Sequence, residues 1–414
     1  MKKTTLKTRL WALAATLLLL VSLLALPVSA ANTPVTGGTF DFNKYLVMNA
    51  NANVPNVEFT FTIDAGEPVN AGNGQQKIYA GIVQNTGETV TAPTVTEANF
   101  SYNTDNDNTA NGLPSDTTTT TQNKKYATKE VTVDFSGISF TAPGIYRYII
   151  TETASTASYI QNDTATDRTL DVYVQYKNNG SEDEPNYSDT ELVVSNYVLH
   201  EGLEDPAAQG EEKSDGFTNT YTTYDLTLTK SVTGNQGDRD KYFAFTVEIT
   251  GAVEGTVYTV DLSDAESTPN VDGTPHTNDA TLIATSGSVN ATYYLKHGQS
   301  IVIQGLTADT HYTIEESNYS TDGYSTAYSV EVGGEEVVQS TTSNSTGDRK
   351  MSIDATEPEG TATTGDNTVT FTNTKSGTVP TGILLETAPY LILGAVVVVG
   401  LVVLFATRRR RTRE

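Results

Sequence analysis

Leu226-Thr227-Leu228-Thr229-Lys230-Ser231-Val232-Thr233-Gly234 decides how this 414-residue chain is read. Apolar and polar residues alternate through it, the period of a strand with one buried face. Side chains at i, i+2 and i+4 share a face, so Lys230 points the same way as Leu226 and Leu228. If the leucines face a core, a lysine is buried with them. Nearer the N-terminus, Phe40-Asp41-Phe42-Asn43-Lys44 repeats the arrangement.

Two further motifs recur in step with these lysines. Tyr148-Ile149-Ile150-Thr151-Glu152 and Tyr312-Thr313-Ile314-Glu315-Glu316 each place a glutamate on the face of a tyrosine and an isoleucine. Glu315 falls on the opposite face from Ile314. Phe217-Thr218-Asn219-Thr220 and Phe371-Thr372-Asn373-Thr374 each put an asparagine beside a phenylalanine. The chain thus contains the order Lys, Glu, Asn twice, which divides it into domains over 32–222 and 223–375.

Buried alone, a lysine or a glutamate is costly; three such groups that meet are tolerable. Burial lowers a lysine pKa and raises a glutamate pKa, because low dielectric disfavours both charged forms. A neutral amine can then attack the asparagine carboxamide while the glutamate moves protons and ammonia leaves. The product is a Lys–Asn isopeptide bond, made once without turnover: Lys44 with Asn219 through Glu152, and Lys230 with Asn373 through Glu316.

The rest of the sequence between the ends is rich in Thr, Val, Asn, Tyr and Gly, a β composition. Alternating runs such as Glu58 to Ile63, Val131 to Phe135, Leu170 to Tyr176 and Phe243 to Ile249 are separated by turn residues at intervals of about ten, the spacing of a β-sandwich. The fold expected is all-β, two tandem Ig-like sandwiches. Thr104 to Lys125, with five consecutive threonines, reads as a long surface loop.

Both ends are addresses. Lys2, Lys3, Lys7 and Arg9 precede an apolar run from Leu10 to Leu26, and Val28-Ser29-Ala30 supplies the small residues a signal peptidase accepts, so 1–30 reads as a secretory signal. Residues 388–407 carry no charge and are long enough to cross a bilayer; Arg408 to Arg411 and Arg413 follow and keep that end in the cytoplasm. With those nine basic residues and Glu386 and Glu414 set aside, Ala31 to Thr381 has a net charge of −32. So acidic a surface argues against nucleic acid as a partner. The chain has no cysteine, which removes disulfides, thiolate nucleophiles and thiolate metal sites, and its four scattered histidines leave little for zinc. No cofactor, metal or enzyme active site is expected: there is no HExxH, no Gly-rich phosphate loop and no nucleophile–His–Asp arrangement.

Leu226 to Gly234, followed by Gly237-Asp238-Arg239-Asp240-Lys241, resembles the lysine strand and turn of streptococcal-type pilin isopeptide-linkage domains, which build the major (backbone) pilins of Gram-positive bacteria. Tyr312 to Glu316 is similar to that family's Glu motif, and Val369 to Lys375 to its closing Asn strand. The likeness is strong over the second domain and weaker over the first. It implies an Ig-like sandwich per domain and the two bonds given above. Val379-Pro380-Thr381-Gly382, an apolar span and arginines form the layout that sortases recognise, within a sorting region over 376–414. The motif departs from the commonest form, with Thr378 and Val379 where Leu-Pro would stand, and is closer to the Val-Pro-Thr-Gly variant of these pilins. Sortase would cleave between Thr381 and Gly382 and pass Thr381 to a lysine of the next copy. By the same resemblance that acceptor is Lys213, in Glu211-Glu212-Lys213-Ser214-Asp215-Gly216, with Lys177 the runner-up among twelve lysines between the two signals. The implied partners are sortase, further copies in a covalent homopolymer, minor pilins and peptidoglycan. The implied location is the cell surface, with the membrane only a temporary anchor. A monomeric wall-anchored adhesin stalk and a basal pilin are the alternatives.

Overall fold

The computed structural model describes residues 31–70, 77–85, 90–114, 123–202, 213–339, 350–354 and 366–377. The signal segment, Val379 to Gly382 and the apolar stretch 388–407 lie outside them. Backbone contacts divide the chain into two compact units, meeting between Thr223 and Tyr224.

In the first unit, Thr39–Asn49 lies in the middle of a sheet. It pairs antiparallel with Lys124–Asp134 on one side and parallel with Gly216–Tyr221 on the other, and Ile160–Gln161 continues the sheet beyond. A second sheet runs Tyr187–Glu201, Asp167–Asn178, Gly144–Glu152, Phe61–Ala65, all antiparallel. Phe42, Leu46, Met48 and Val131 from the first sheet pack on Tyr148, Ile150, Leu170 and Val172 from the second. Each such side chain, fully buried, stabilises by about 1.5–3 kcal/mol. Phe42, Lys44, Leu46 and Met48 make one inward row, each 3 % exposed or less. Lys44 therefore sits mid-strand, since Leu46 and Met48 carry the inward alternation past it.

The second unit repeats the plan. Tyr224–Thr233 lies between Ser300–Leu306, antiparallel, and Asn367–Thr374, parallel. The sheet extends through Ser325–Val332 beyond the latter. Facing it are Ser288–Leu295, Phe243–Thr250, His311–Glu316 and Lys350–Asp354. In both units the parallel neighbours are the first long strand and the last. Parallel partners cannot be joined by a tight hairpin, so the intervening chain has to form the opposite sheet before it returns. Gly216 opens the last strand of unit 1, where a Cβ would run into the Asn43 carbonyl; the close approach requires glycine.

Thr104 to Lys125 is less loop-like than its composition suggests. It begins in a one-turn helix, Tyr102–Asp105, followed by a 3-10 turn, Asn106–Asn108. Asp105 is buried, accepts the Ser101 N–H at 2.8 Å and pairs with Lys129 at 2.7 Å. That ion pair draws the start of the segment onto the sheet; 115–122 lie outside the described residues.

Candidate functional site

The parallel register places the lysines and asparagines. Lys44 stands opposite Phe217 and Leu46 opposite Asn219; Lys230 stands opposite Phe371 and Val232 opposite Asn373. In each unit the asparagine is thus two residues beyond the lysine's partner, on the same face of the sheet. The glutamates come from the other sheet, at the last residues of Gly144–Glu152 and His311–Glu316. All six groups are buried, none more than 4 % exposed.

Across the first core, the Lys44 Nζ donates to Glu152 Oε2 at 2.7 Å and the Asn219 Nδ2 to Glu152 Oε1 at 2.6 Å. In the second, Lys230 Nζ lies 2.9 Å from Glu316 Oε1, and Asn373 Nδ2 donates to the same oxygen at 2.9 Å. The structure thereby brings each Lys, Glu and Asn of the repeat into one contact set. Glu315 is on the other face, with its carboxylate 3.9 Å from Lys350 Nζ.

The amines are held among rings. Lys44 Nζ is 4.5 Å from the centre of Phe59, and Lys230 Nζ is 4.3 Å from Phe243 and 5.8 Å from Phe245. Removal from water pulls both lysines down to about 8, against the pull of the facing glutamate. The same burial pushes Glu152 and Glu316 above the ordinary carboxylate value. Each pair can therefore hold its one proton on either member. With the proton on the carboxyl, a nucleophilic amine stands beside the carboxamide, and an acid lies against the amide nitrogen that would leave.

Three contributors were not anticipated from sequence. The Asp163 backbone N–H donates to Asn219 Oδ1 at 2.8 Å. Arg168 pairs with Asp163 Oδ2 at 2.9 Å, donates to the Gly216 carbonyl at 2.9 Å and lies 4.5 Å over Phe217. In unit 2, buried Thr326 hydrogen-bonds Glu316 from opposite Asn373. Parity held the signal for Arg168, which shares a strand face with Leu170 and Val172.

Lys213 is exposed, its backbone bridged to His200, beside a cavity of about 340 Å³ lined by Phe40, Asn196, Tyr197 and Asp215. Lys177 is also exposed and pairs with Glu191 at 3.4 Å.

Two sandwiches, each with an amine, an acid and a carboxamide touching in the core, are the architecture that the chain presents for comparison. Residues 74–222 match the Spy0128-like isopeptide containing domain, and residues 224–375 match a domain of unknown function, DUF7601. A pilin of Streptococcus pyogenes serotype M1 is 29 % identical over 371 residues, 89 % of this chain and 90 % of that protein. Crystal structures of S. pyogenes major pilins align at low identity: one at 22 %, TM-score 0.46, covering 83 % of this chain and all of that one. Another, the T3.2 pilin, aligns at 19 %, TM-score 0.49, covering 82 % and 100 %. Over most of its length the chain is thus similar to a streptococcal pilin, and its first domain to the Spy0128-like isopeptide containing domain.

Proposed function

We propose that each sandwich locks itself with one amide, Lys44 to Asn219 and Lys230 to Asn373, and that sortase joins copies from Thr381 to Lys213. In each lock the neutral lysine Nζ attacks the asparagine Cγ. The C–N bond forms, the glutamate relays the amine proton to Nδ2, and ammonia departs. The carboxyl ends as it began, so one turnover exhausts the site and the chain is not an enzyme. The observation that carries this reading is that one glutamate touches both the amine and the amide in both domains, at matching positions of the repeat. Aromatic burial keeps water from competing and shields the amide once made. The intact mass of Ala31 to Thr381 should fall short of the sequence mass by two ammonia molecules; an unshifted mass would refute both bonds.

The reactive pair shares one proton, so its rate should have two limbs that belong to the pair jointly. Above about 8 the lysine gives up the last proton and the rate falls. Toward acid, the raised glutamate keeps its proton while the lysine is charged, so the rate also falls, beginning above the carboxylate's ordinary 4.5. Mass time courses on chain recovered unlinked and refolded across a pH series test this. A rate still climbing well above pH 8 would sink it.

Sortase assembly supplies the fibre, the wall attachment through peptidoglycan and the joining of minor pilins. The Val379-Pro380-Thr381-Gly382 motif supports this, with the apolar stretch and arginines as a temporary membrane stop before transfer to the cell surface. Exposure and a backbone fixed to His200 support Lys213 as acceptor. Cell-wall extracts of Lys213→Ala should lose the high-mass ladder and keep monomer, whereas Lys177→Ala should keep it. A ladder that survives Lys213→Ala moves the acceptor elsewhere.

A further inference from the structure

The two locks are not equally equipped, and the difference lies at the asparagine oxygen. When Nζ adds to Cγ, the Oδ1 atom takes up the electron pair and becomes an oxyanion until ammonia leaves. Asn219 Oδ1 already accepts the Asp163 N–H at 2.8 Å. Among the described residues, Asn373 Oδ1 is buried with no hydrogen-bond partner. We propose that domain 1 contains an oxyanion site, the Asp163 backbone N–H held in place by Arg168, and that Lys44–Asn219 therefore forms faster than Lys230–Asn373. This rests on the cross-linking reading above.

The cause is where a neighbouring strand stops. In domain 1 the strand beside the asparagine is only Ile160–Gln161, paired with Tyr221 and Thr220. The chain leaves the ladder at Asn162, level with Asn219, and turns the next N–H toward the carboxamide. In domain 2 the corresponding strand, Ser325–Val332, runs on past Asn373, and its Thr326 hydroxyl serves Glu316 instead. A laddered strand spends its N–H groups on backbone carbonyls, so none is turned inward.

The domain 1 turn is fixed from several sides. Asp163 Oδ1 accepts the Ala165 N–H at 3.0 Å, and Oδ2 accepts the Thr218 N–H at 2.8 Å. Arg168, 3 % exposed, grips the same carboxylate and also donates to the Ala165 carbonyl at 2.6 Å. The N–H is thus aimed before charge develops, the condition under which such a donor contributes most to rate. Asp163 supplies a catalytic donor through its backbone; Arg168 is a positioning residue.

The test refolds Ala31 to Thr381 from unlinked chain and follows both linked peptides by mass in the same molecules. Near-UV circular dichroism of the tyrosines reports folding in parallel. Losing one such donor typically slows acyl chemistry by about 10²–10³-fold. In the unmodified chain, Lys44–Asn219 should form at least about ten-fold faster than Lys230–Asn373. Arg168→Met should slow only the domain 1 bond, by more than any loss of folded domain 1, and Arg168→Lys should restore part of the rate. Equal rates in the unmodified chain would overturn the proposal. So would slowing in Arg168→Met that only tracks the folded fraction. If neither bond forms in folded chain, the cross-linking reading fails first, and that outcome is distinct because no rate exists to compare.

Discussion

Glu316→Ala will leave domain 2 unlinked, its mass only one ammonia molecule below that of its own sequence, and melting at least about 15 °C lower. Two losses combine. Lys230 to Asn373 closes a loop of more than 100 residues, whose cross-link stabilises by about 4–5 kcal/mol if the chain-entropy model for disulfides carries over. The substitution also strands Lys230 Nζ in an aromatic pocket without its 2.9 Å carboxylate, and breaking a buried pair on one side costs about 3–5 kcal/mol. Asn373→Ala removes only the first contribution and should fall between parent and Glu316→Ala. Differential calorimetry, with intact mass on the same samples, reads both quantities. The domain 1 transition should stay put, since its lock is untouched. A Glu316→Ala mass two ammonia molecules below its own sequence mass would remove the glutamate from the mechanism.

Pulled from both ends, polymers carrying Asn373→Ala will lengthen by up to roughly 450 Å per subunit, whereas those carrying Asn219→Ala will not. In the proposed fibre, force enters a subunit at Lys213 and leaves at Thr381. Along that route the Lys230–Asn373 amide is a covalent shortcut past nearly all of domain 2, so the bypassed residues cannot be drawn out. Lys44–Asn219 encloses residues that lie mostly on the other side of Lys213, off the loaded route. It should serve the stability of domain 1 more than its strength. Single-fibre force spectroscopy of the two variants decides the matter, and equal extension in both would sink it. Neither proposed bond would need an oxidant or yield to a reductant, which suits a chain without cysteine.

Much of the site is legible in the sequence. Strand parity turned Lys44, Glu152, Lys230 and Glu316 inward, and the structure has each of them 4 % exposed or less. The repeat paired each lysine with its own glutamate and asparagine. Arg168 was equally accessible to parity but passed unnoticed, because no second copy stands in domain 2 to draw attention to it. Asp163 could not have been found that way. It acts through a backbone N–H, and every residue other than proline has one.

Alternation is a property of neighbours in sequence, so the chain by itself determined which face each side chain takes, and with it the all-β plan and the buried polar groups. Distance across the core is not such a property. The offset of two residues between Lys44 and Asn219, and between Lys230 and Asn373, comes from parallel pairing of strands separated by most of a domain. The approach of the glutamates comes from the packing of one sheet on another. The partner of the asparagine oxygen depends on where the neighbouring strand ends, at Gln161 in one domain and at Val332 in the other. These are non-local contacts, and only the assembled sandwich decided them.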